Sequence, residues 1–254
     1  MAAADISTMS IAGLHHSPTS HDLATSLTVY NSLPHPEEQP GVSDDWLKSL
    51  GELFVRHGVQ DMFGIHLLHG HFTAPQGTVL FGTQFQVSGR SQACWTKPVP
   101  VADLATELIH GHVFRLQPDG SFIPYEFHAG DADSKAANTG PAFFQELADF
   151  LRCNGLADLI ALQVLDSSRD KTNMELQVGP QGTVMMDEKD LIGFSPPRIT
   201  TGWSFKVGDD GVISCKGNDV YSAKKNTHQV FQDSKPLPTV EALKEALREE
   251  GIIA

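Results

Sequence analysis

The chain has 254 residues, of which 40% are hydrophobic and 19% charged, so it can bury the core of one large domain or two modest ones. Its net charge of −13, without a cluster of Lys and Arg, argues against nucleic acid or an anionic membrane as a partner. The three cysteines lie far apart in the sequence, which excludes a disulfide scaffold and indicates a reducing compartment. No secretory or Arg-rich targeting segment is visible, so the sequence predicts a cytoplasmic protein.

The first elements are an irregular leader and a helix. Residues 1–42 are rich in Ser, Thr, Pro and His and have no sustained hydrophobic period, which indicates a mostly irregular segment. A helix is expected from Ser43, a good N-cap, to Gly58, which ends it. Alternating side chains and turn residues then predict a series of strands, mostly in hairpins. These strands are predicted at residues 62–72, 78–86, 94–99, 109–117 and 121–127.

Three stretches of the first half recur in the second half in the same order. They are residues 58–69 and 155–166, residues 75–79 and 180–184, and residues 114–120 and 205–211. The offsets are 97, 105 and 91 residues (58 to 155, 75 to 180, 114 to 205), which agree to within differences in loop length. Three matches in one order predict a tandem duplication.

The predicted fold class is therefore α+β, with two copies of an α-β-β-β-β module, a mainly antiparallel sheet and a pseudo-two-fold relation. The first module is assigned to residues 43–130 and the second to residues 141–217. Residues 131–140 form the predicted linker between them. Residues 218–254 are expected to be a loop followed by a C-terminal helix.

The chain contains twelve histidines, and four of them stand in two His-Gly-His sequences, at residues 69–71 and 110–112. These two sequences are the most informative. Residues i and i+2 of a strand point the same way, so each pair should present two imidazoles to one face. If the two pairs lie on neighbouring strands, four ring nitrogens could each lie roughly 2.0–2.2 Å from one metal ion, which is the length of a metal–nitrogen bond. We predict a divalent transition metal, Zn or Fe, at this place. The predicted ligands are His69, His71, His110 and His112, and the predicted catalytic residues are these four with Glu126 and His128.

Only the first copy carries these histidines. The second copy has Gln163 and Asp166 at the positions of His66 and His69, and residues 201–203 read Thr-Gly-Trp in place of the second pair. A structural need shared by both copies would not explain that difference. The sequence therefore predicts one functional site in the first module, with the second module as scaffold or pocket wall.

Residues 64–72 read Gly-Ile-His-Leu-Leu-His-Gly-His-Phe. This segment resembles one found in a group of largely uncharacterised, mainly fungal proteins, and the similarity extends over about residues 45–85. The resemblance implies kinship and no function. Paired α/β modules that hold a metal on strand histidines are also similar in architecture to glyoxalase-type oxygen-chelate proteins.

The same stretch is similar to the first cupin motif, in which two histidines and a later glutamate bind a metal on a barrel. His69 and His71 match the two histidines, whereas Gln76 stands at the place of the glutamate. The spacing differs by one residue at Gly64 and at Gly82, and no second cupin motif follows. The resemblance implies a metal site on the two matching histidines.

The leading hypothesis is an enzyme that acts on a small molecule in a pocket of the first module. With a metal, the ion would polarise a substrate oxygen or activate water or dioxygen. Without one, a histidine would transfer protons, as in a lyase, isomerase or cyclase. The alternative is a non-catalytic binding or accessory protein that contacts another protein, and a third interpretation is that the histidine pairs only pack across strands. Substrate and oligomeric state stay open.

Overall fold

A computed structural model describes residues 10–89, 91–165, 171–192, 198–222 and 235–254. Within these ranges the chain forms five α-helices and ten β-strands. The helices are α1 Ser20–Tyr30, α2 Asp44–Arg56, α3 Ser134–Ala137, α4 Pro141–Cys153 and α5 Val240–Glu249. The strands are β1 Phe63–Leu67, β2 Thr78–Ser88, β3 Ser91–Pro100, β4 Ile109–Leu116, β5 Phe122–Ala129, β6 Ile160–Val164, β7 Asn173–Gln177, β8 Thr183–Asp187, β9 Arg198–Val207 and β10 Ile213–Ser222.

The strands form one sheet that closes into a barrel, in the order β1-β6-β4-β5-β2-β3-β8-β7-β10-β9. β9 pairs with β1 and completes the ring, with Trp203 opposite Ile65. Eight of the neighbouring pairs are antiparallel, and two, β2 with β5 and β7 with β10, are parallel. Among the described strands, closure leaves none at the edge of a sheet.

The pairing of β1–β5 is repeated by β6–β10. β4 pairs with β5 as β9 pairs with β10, and β2 pairs with β3 as β7 pairs with β8. The two parallel pairs also correspond. β1 and β6 lie side by side, and in their register Ile65 is opposite Leu162, a separation of 97 residues (65 to 162).

Two of the three internal sequence matches occupy corresponding places in this barrel. The ends of α2 and α4 carry Gly58 at φ 65 and Gly155 at φ 67, where the left-handed backbone favours glycine. The β4–β5 and β9–β10 turns also correspond. The third match does not, because residues 75–79 lead into β2 whereas residues 180–184 lead into β8, which takes the place of β3.

An apolar core between the barrel and the helices α2 and α4 lies outside the ring of strands. Ser43 caps α2 by accepting a hydrogen bond from the backbone N–H of Trp46, as its sequence predicts. Phe54 is fully buried, with its ring centroid 5.2 Å from that of Phe143 on α4 and 4.9 Å from that of Phe205 on β9. Burial of such a ring contributes roughly 1.5–3 kcal/mol. In the described part of the chain, every helix is too short or too polar to cross a bilayer.

The two remaining long helices cover the two parallel strand pairs. α1 contacts β5 and β2. Leu243 and Leu247 of α5 pack against Leu176 of β7 and Val220 of β10. The leader over residues 1–42 is therefore not irregular throughout, because α1 lies within it with a capping box at Thr19 and Asp22. Residues 1–9 lie outside the described ranges.

Two boundaries also differ from the prediction. The linker at residues 131–140 contains the short helix α3, whose N-cap Asp133 accepts hydrogen bonds from two backbone N–H groups. The second module does not end at residue 217, since β10 continues to Ser222 and pairs there with β9. Both halves contribute strands to one closed sheet, so the two predicted modules do not form separate sheets.

Replacing Phe54 by Ala should lower the free energy of unfolding by about 3–5 kcal/mol, because the ring fills the core shared by α2, α4 and β9. Leu108→Ala is the control, since this side chain is 59% exposed and its loss should change stability by about 0.5 kcal/mol or less. Equilibrium unfolding in denaturant measures both. A loss for Phe54→Ala as small as that of the control would contradict the packing of α2 on the barrel.

Candidate metal centre

The interior of the barrel is a polar cavity. Along β1, Ile65 and Leu67 point outward into the helix core, so His66 between them points inward. The volume open to the centre of a water molecule inside this cavity is about 80 Å³. Other strands add polar side chains to the lining, among them His112, Glu126, His128, Gln163, Glu175 and Asp219.

Three side chains of metal-binding type meet in this cavity: His69, His71 and Glu175. Nε2 of His69 lies 3.3 Å from Oε2 of Glu175, and Nε2 of His71 lies 2.8 Å from Oε1. The potential ligand atoms all lie within 4.8 Å of one another. Two bonds of 2.0–2.2 Å span at most about 4.4 Å, so the three groups would reach one ion after a small shift of their side chains.

His69 and His71 belong to the loop after β1 and not to a strand, so the predicted strand over residues 62–72 is too long. β1 ends at Leu67, where its pairing with Ile160 of β6 ends. The two rings therefore converge through the fold of the loop and not through the i and i+2 alternation of a strand. Gly70 between them packs closely against the leader, since a Cβ at this position would lie 3.3 Å from Cβ of Leu33.

Contacts with the leader and with β7 hold this loop in place. The backbone N–H of Gly70 donates to the carbonyl of Pro34 at 2.8 Å. The backbone N–H of His71 lies 3.5 Å from the hydroxyl of Tyr30 on α1. On the other side, Nε2 of Gln177 donates to the carbonyl of His71 at 3.0 Å. The site thus depends on the first and second halves of the chain together.

The group carries an ion pair when no metal is bound. Burial alone would raise the pKa of Glu175, but the His71 and His69 rings hold it well below its usual value. Burial alone would lower the pKa of His69, yet the charge of Glu175, its hydrogen bond and the Leu67 carbonyl raise it. Both ring nitrogens of His69 face acceptors, Leu67 O at 2.8 Å and Glu175 Oε2, which fits a protonated ring. Metal binding would displace the protons on the Nε2 side.

The second predicted pair does not join this group. His110 lies at the start of β4, where its Nδ1 is 2.9 Å from the carbonyl oxygen of Gly130, and it is outside the cavity lining. His112 does line the cavity. A bulge in β4 between Gly111 and Val113 interrupts the alternation of faces, and the His110 ring lies against that of His128, with centroids 6.0 Å apart.

His112 instead forms a separate cluster with His128 on the neighbouring strand β5. Their rings stack with centroids 3.8 Å apart, and Sγ of Cys94 lies 3.7 Å from Nε2 of His128. Burial lowers the pKa of His128 to about 3, and burial with the nearby His128 lowers that of His112 well below its usual value. Both rings are therefore neutral at physiological pH. A Cβ at Gly82 would come within 2.6 Å of Nε2 of His128, so the cluster requires glycine there.

Glu126, predicted as a catalytic carboxylate, lines the same cavity. Burial raises its pKa to about 7, and the charges of Glu175 and Asp219 act in the same direction. His66, which was not among the predicted site residues, stacks on His69 with centroids 5.2 Å apart.

The cavity is not a property of the first module alone. The histidines come from the first half, but Gln163, Glu175 and Asp219 come from the second. The second half is thus more than a wall, because it supplies the carboxylate that faces His69 and His71. Asp166, the predicted counterpart of His69, lies outside the described residues.

Glu175 is the site residue that the sequence patterns missed. On β7, Met174 and Leu176 are buried in the outer core, so alternation places Glu175 on the inner face. A single carboxylate between two buried apolar residues was the available signal. Gln76, which the cupin resemblance places at the position of a ligand, is exposed and does not line the cavity.

Glu175→Gln should lower the pKa of His69 below its usual value in the metal-free protein, because burial then acts without the opposing carboxylate. An NMR titration of the histidine rings measures this shift. Glu146→Gln is the control, since this surface carboxylate contacts His57 at 2.6 Å and lies apart from the cavity. A His69 titration that is the same in both variants would contradict the ion pair.

Comparison with known proteins gives no match among family models, curated proteins or solved structures. The chemistry available at the site is set by its own residues. These are two imidazoles and one carboxylate that face one another, and a second, protonatable carboxyl group in the same cavity.

Proposed function

We propose that this protein is a metal-dependent enzyme that acts on a small molecule inside the barrel. The observation that carries the proposal is the buried group of His69, His71 and Glu175, whose ligand atoms lie within 4.8 Å of one another. A buried carboxylate is rare unless it is paired or bound to a metal. Three protein ligands leave positions open on a divalent ion for water and substrate.

Two metals fit this set of ligands. Two histidines and one carboxylate hold Fe(II) in non-haem oxygenases and Zn(II) in zinc hydrolases. The ion would polarise a substrate oxygen or activate water or dioxygen. His69, His71 and Glu175 line the same cavity, so a small molecule bound there would lie beside the ion.

Glu126 is the group that we assign to proton transfer beside the ion. It lines the same cavity, and burial raises its pKa to about 7. A carboxyl group with a pKa near the working pH exchanges protons most effectively. His66 lies flat against His69 and restricts the rotation of that ligand ring. The neutral rings of His112 and His128 stay available as hydrogen-bonding groups on another part of the wall.

We further infer that the chain arose by tandem duplication of one module with a helix and five strands, one strand more than the predicted module has. Support comes from the repeated strand order and from Gly58 and Gly155, which end α2 and α4 with the same left-handed backbone. After duplication, one half would have kept the histidines and the other the carboxylate at Glu175. A site divided in this way needs both halves for activity.

A cytoplasmic location and the absence of a nucleic-acid partner are proposed on charge and composition.

Metal titration of the purified protein should give about one ion per chain, for Zn(II) in air and Fe(II) under anaerobic conditions. The double variant His69→Ala/His71→Ala and the variant Glu175→Gln should each lower the affinity by at least about tenfold. Isothermal calorimetry and metal analysis after desalting measure this. No binding by the wild-type protein would leave only metal-free histidine chemistry.

His110→Ala and His112→Ala are the matched controls, because both belong to the predicted set of four histidines but lie outside the group around Glu175. Both should bind the metal as the wild-type protein does. Loss of metal in either control, equal to that in Glu175→Gln, would contradict the three-ligand site.

Metal binding should also stabilise the fold, because the ligands come from distant parts of the chain. At a free metal concentration about a hundredfold above the dissociation constant, the gain is about 2.7 kcal/mol. Thermal unfolding with and without metal measures it, and Glu175→Gln should show little gain. An equal gain in that variant would mean that the ion binds elsewhere.

A further inference from the structure

A second polar group occupies another part of the cavity wall, centred on the carboxylate of Asp219. Three side-chain amides donate to it: Gln163 Nε2 at 3.1 Å, Asn173 Nδ2 at 3.0 Å and Asn218 Nδ2 at 3.2 Å. Gly202 on β9 makes room for this arrangement, because a Cβ there would collide with the Asp219 carboxylate. The group is thus built into the packing of β6, β7, β9 and β10.

The hydrogen bonds fix which way the amides point. Gln163 directs its NH₂ group at Asp219 and, at 3.5 Å, at Nε2 of His112. Its oxygen must then face away, and the same holds for Asn218. Within the described parts of the chain, Oε1 of Gln163 and Oδ1 of Asn218 have no hydrogen-bond partner, although the two residues are only 7% and 8% exposed.

Two potential donors on the same wall are also unpartnered. Nε2 of His112 faces the Gln163 amide and accepts, so the proton of this neutral ring lies on Nδ1, which has no acceptor among the described residues. Oγ of Ser204 on β9 likewise has no partner there and is 2% exposed. Buried polar groups are nearly always hydrogen-bonded, so these four groups in one cavity must find partners from outside the chain, either water or a bound molecule.

We propose that this wall binds the hydroxyl groups of an uncharged, hydroxylated small molecule, and that this molecule is the substrate of the metal centre. Hydroxyl binding at this wall does not depend on the metal. Only the statement that the bound molecule is the substrate rests on the proposed function. Two unpaired acceptors and two unpaired donors match hydroxyl groups, each of which donates and accepts at once. An ammonium group would leave the Ser204 and His112 donors unused.

The charges around this wall disfavour an anion. A carboxylate or phosphate here would face the amide oxygens and stand near the carboxylates of Asp219 and Glu175. Lys171, two residues before β7, also lines the cavity, so an anionic probe belongs in the test.

The test uses three probes of one shape: vicinal cyclohexanediol, its dimethyl ether and the corresponding cyclohexane dicarboxylate. Binding to the metal-free wild-type protein is measured by ligand-observed NMR and calorimetry. The diol should bind at least about tenfold more tightly than the ether, which cannot donate, and than the dicarboxylate. Equal binding of the ether, tighter binding of the dicarboxylate, or no binding of the diol overturns the proposal.

Ser204→Ala is the main variant, because loss of an unpartnered hydroxyl should leave stability unchanged while it weakens diol binding several-fold. Gln163→Met tests the acceptor side, and Gln145→Met on the surface of α4 is the matched control. Unchanged diol affinity in Ser204→Ala and Gln163→Met overturns the assignment of the wall.

A Zn(II) titration of the same variants separates this proposal from the metal centre. All three should bind the ion as the wild-type protein does. Diol binding without metal binding would end the metal proposal and leave the hydroxyl site. Metal binding without diol binding would end the hydroxyl site and leave the metal proposal.

Discussion

The buried negative charge of Glu175 is the constraint on which the centre of this protein depends. A carboxylate inside a barrel is tolerated only where opposite charge and hydrogen bonds offset its loss of water. His69 and His71 provide both, from a loop that must be held against the other half of the chain. That loop is fixed by Pro34 and by Tyr30, so the leader and α1 position the candidate metal ligands.

The two faces of the strands have different roles, and both are buried. The outer face of β1 packs against helices, and its inner face carries His66 into the cavity. Apolar packing outside the ring supplies stability, whereas polar groups inside it supply chemistry. A change to an inner side chain such as Ser204 can therefore alter ligand binding with little effect on the outer core.

Much of the local structure follows from the sequence, but the assembly of the site does not. The Ser43 cap and Gly58 predict α2, and the His-Gly-His pattern predicts His69 and His71 as members of the candidate site. α1 was missed because its buried Leu23 and Leu27 stand among Ser, Thr and His in a segment without a sustained period. The inward position of Glu175 leaves a local signal, but its histidine partners and the order of the barrel could not be predicted, since pairing between distant strands leaves no mark in local periodicity.

The ligands of the candidate centre lie 106 and 104 residues apart in the chain. Contacts between such distant residues form late in folding, because the entropy of closing a long loop has to be overcome first. During synthesis the histidines leave the ribosome well before β7 exists, so an ion can meet its complete set of ligands only once the second half is made. Occupancy would then mark a finished barrel, and a fragment cut between the halves would keep His69 and His71 without gaining the centre.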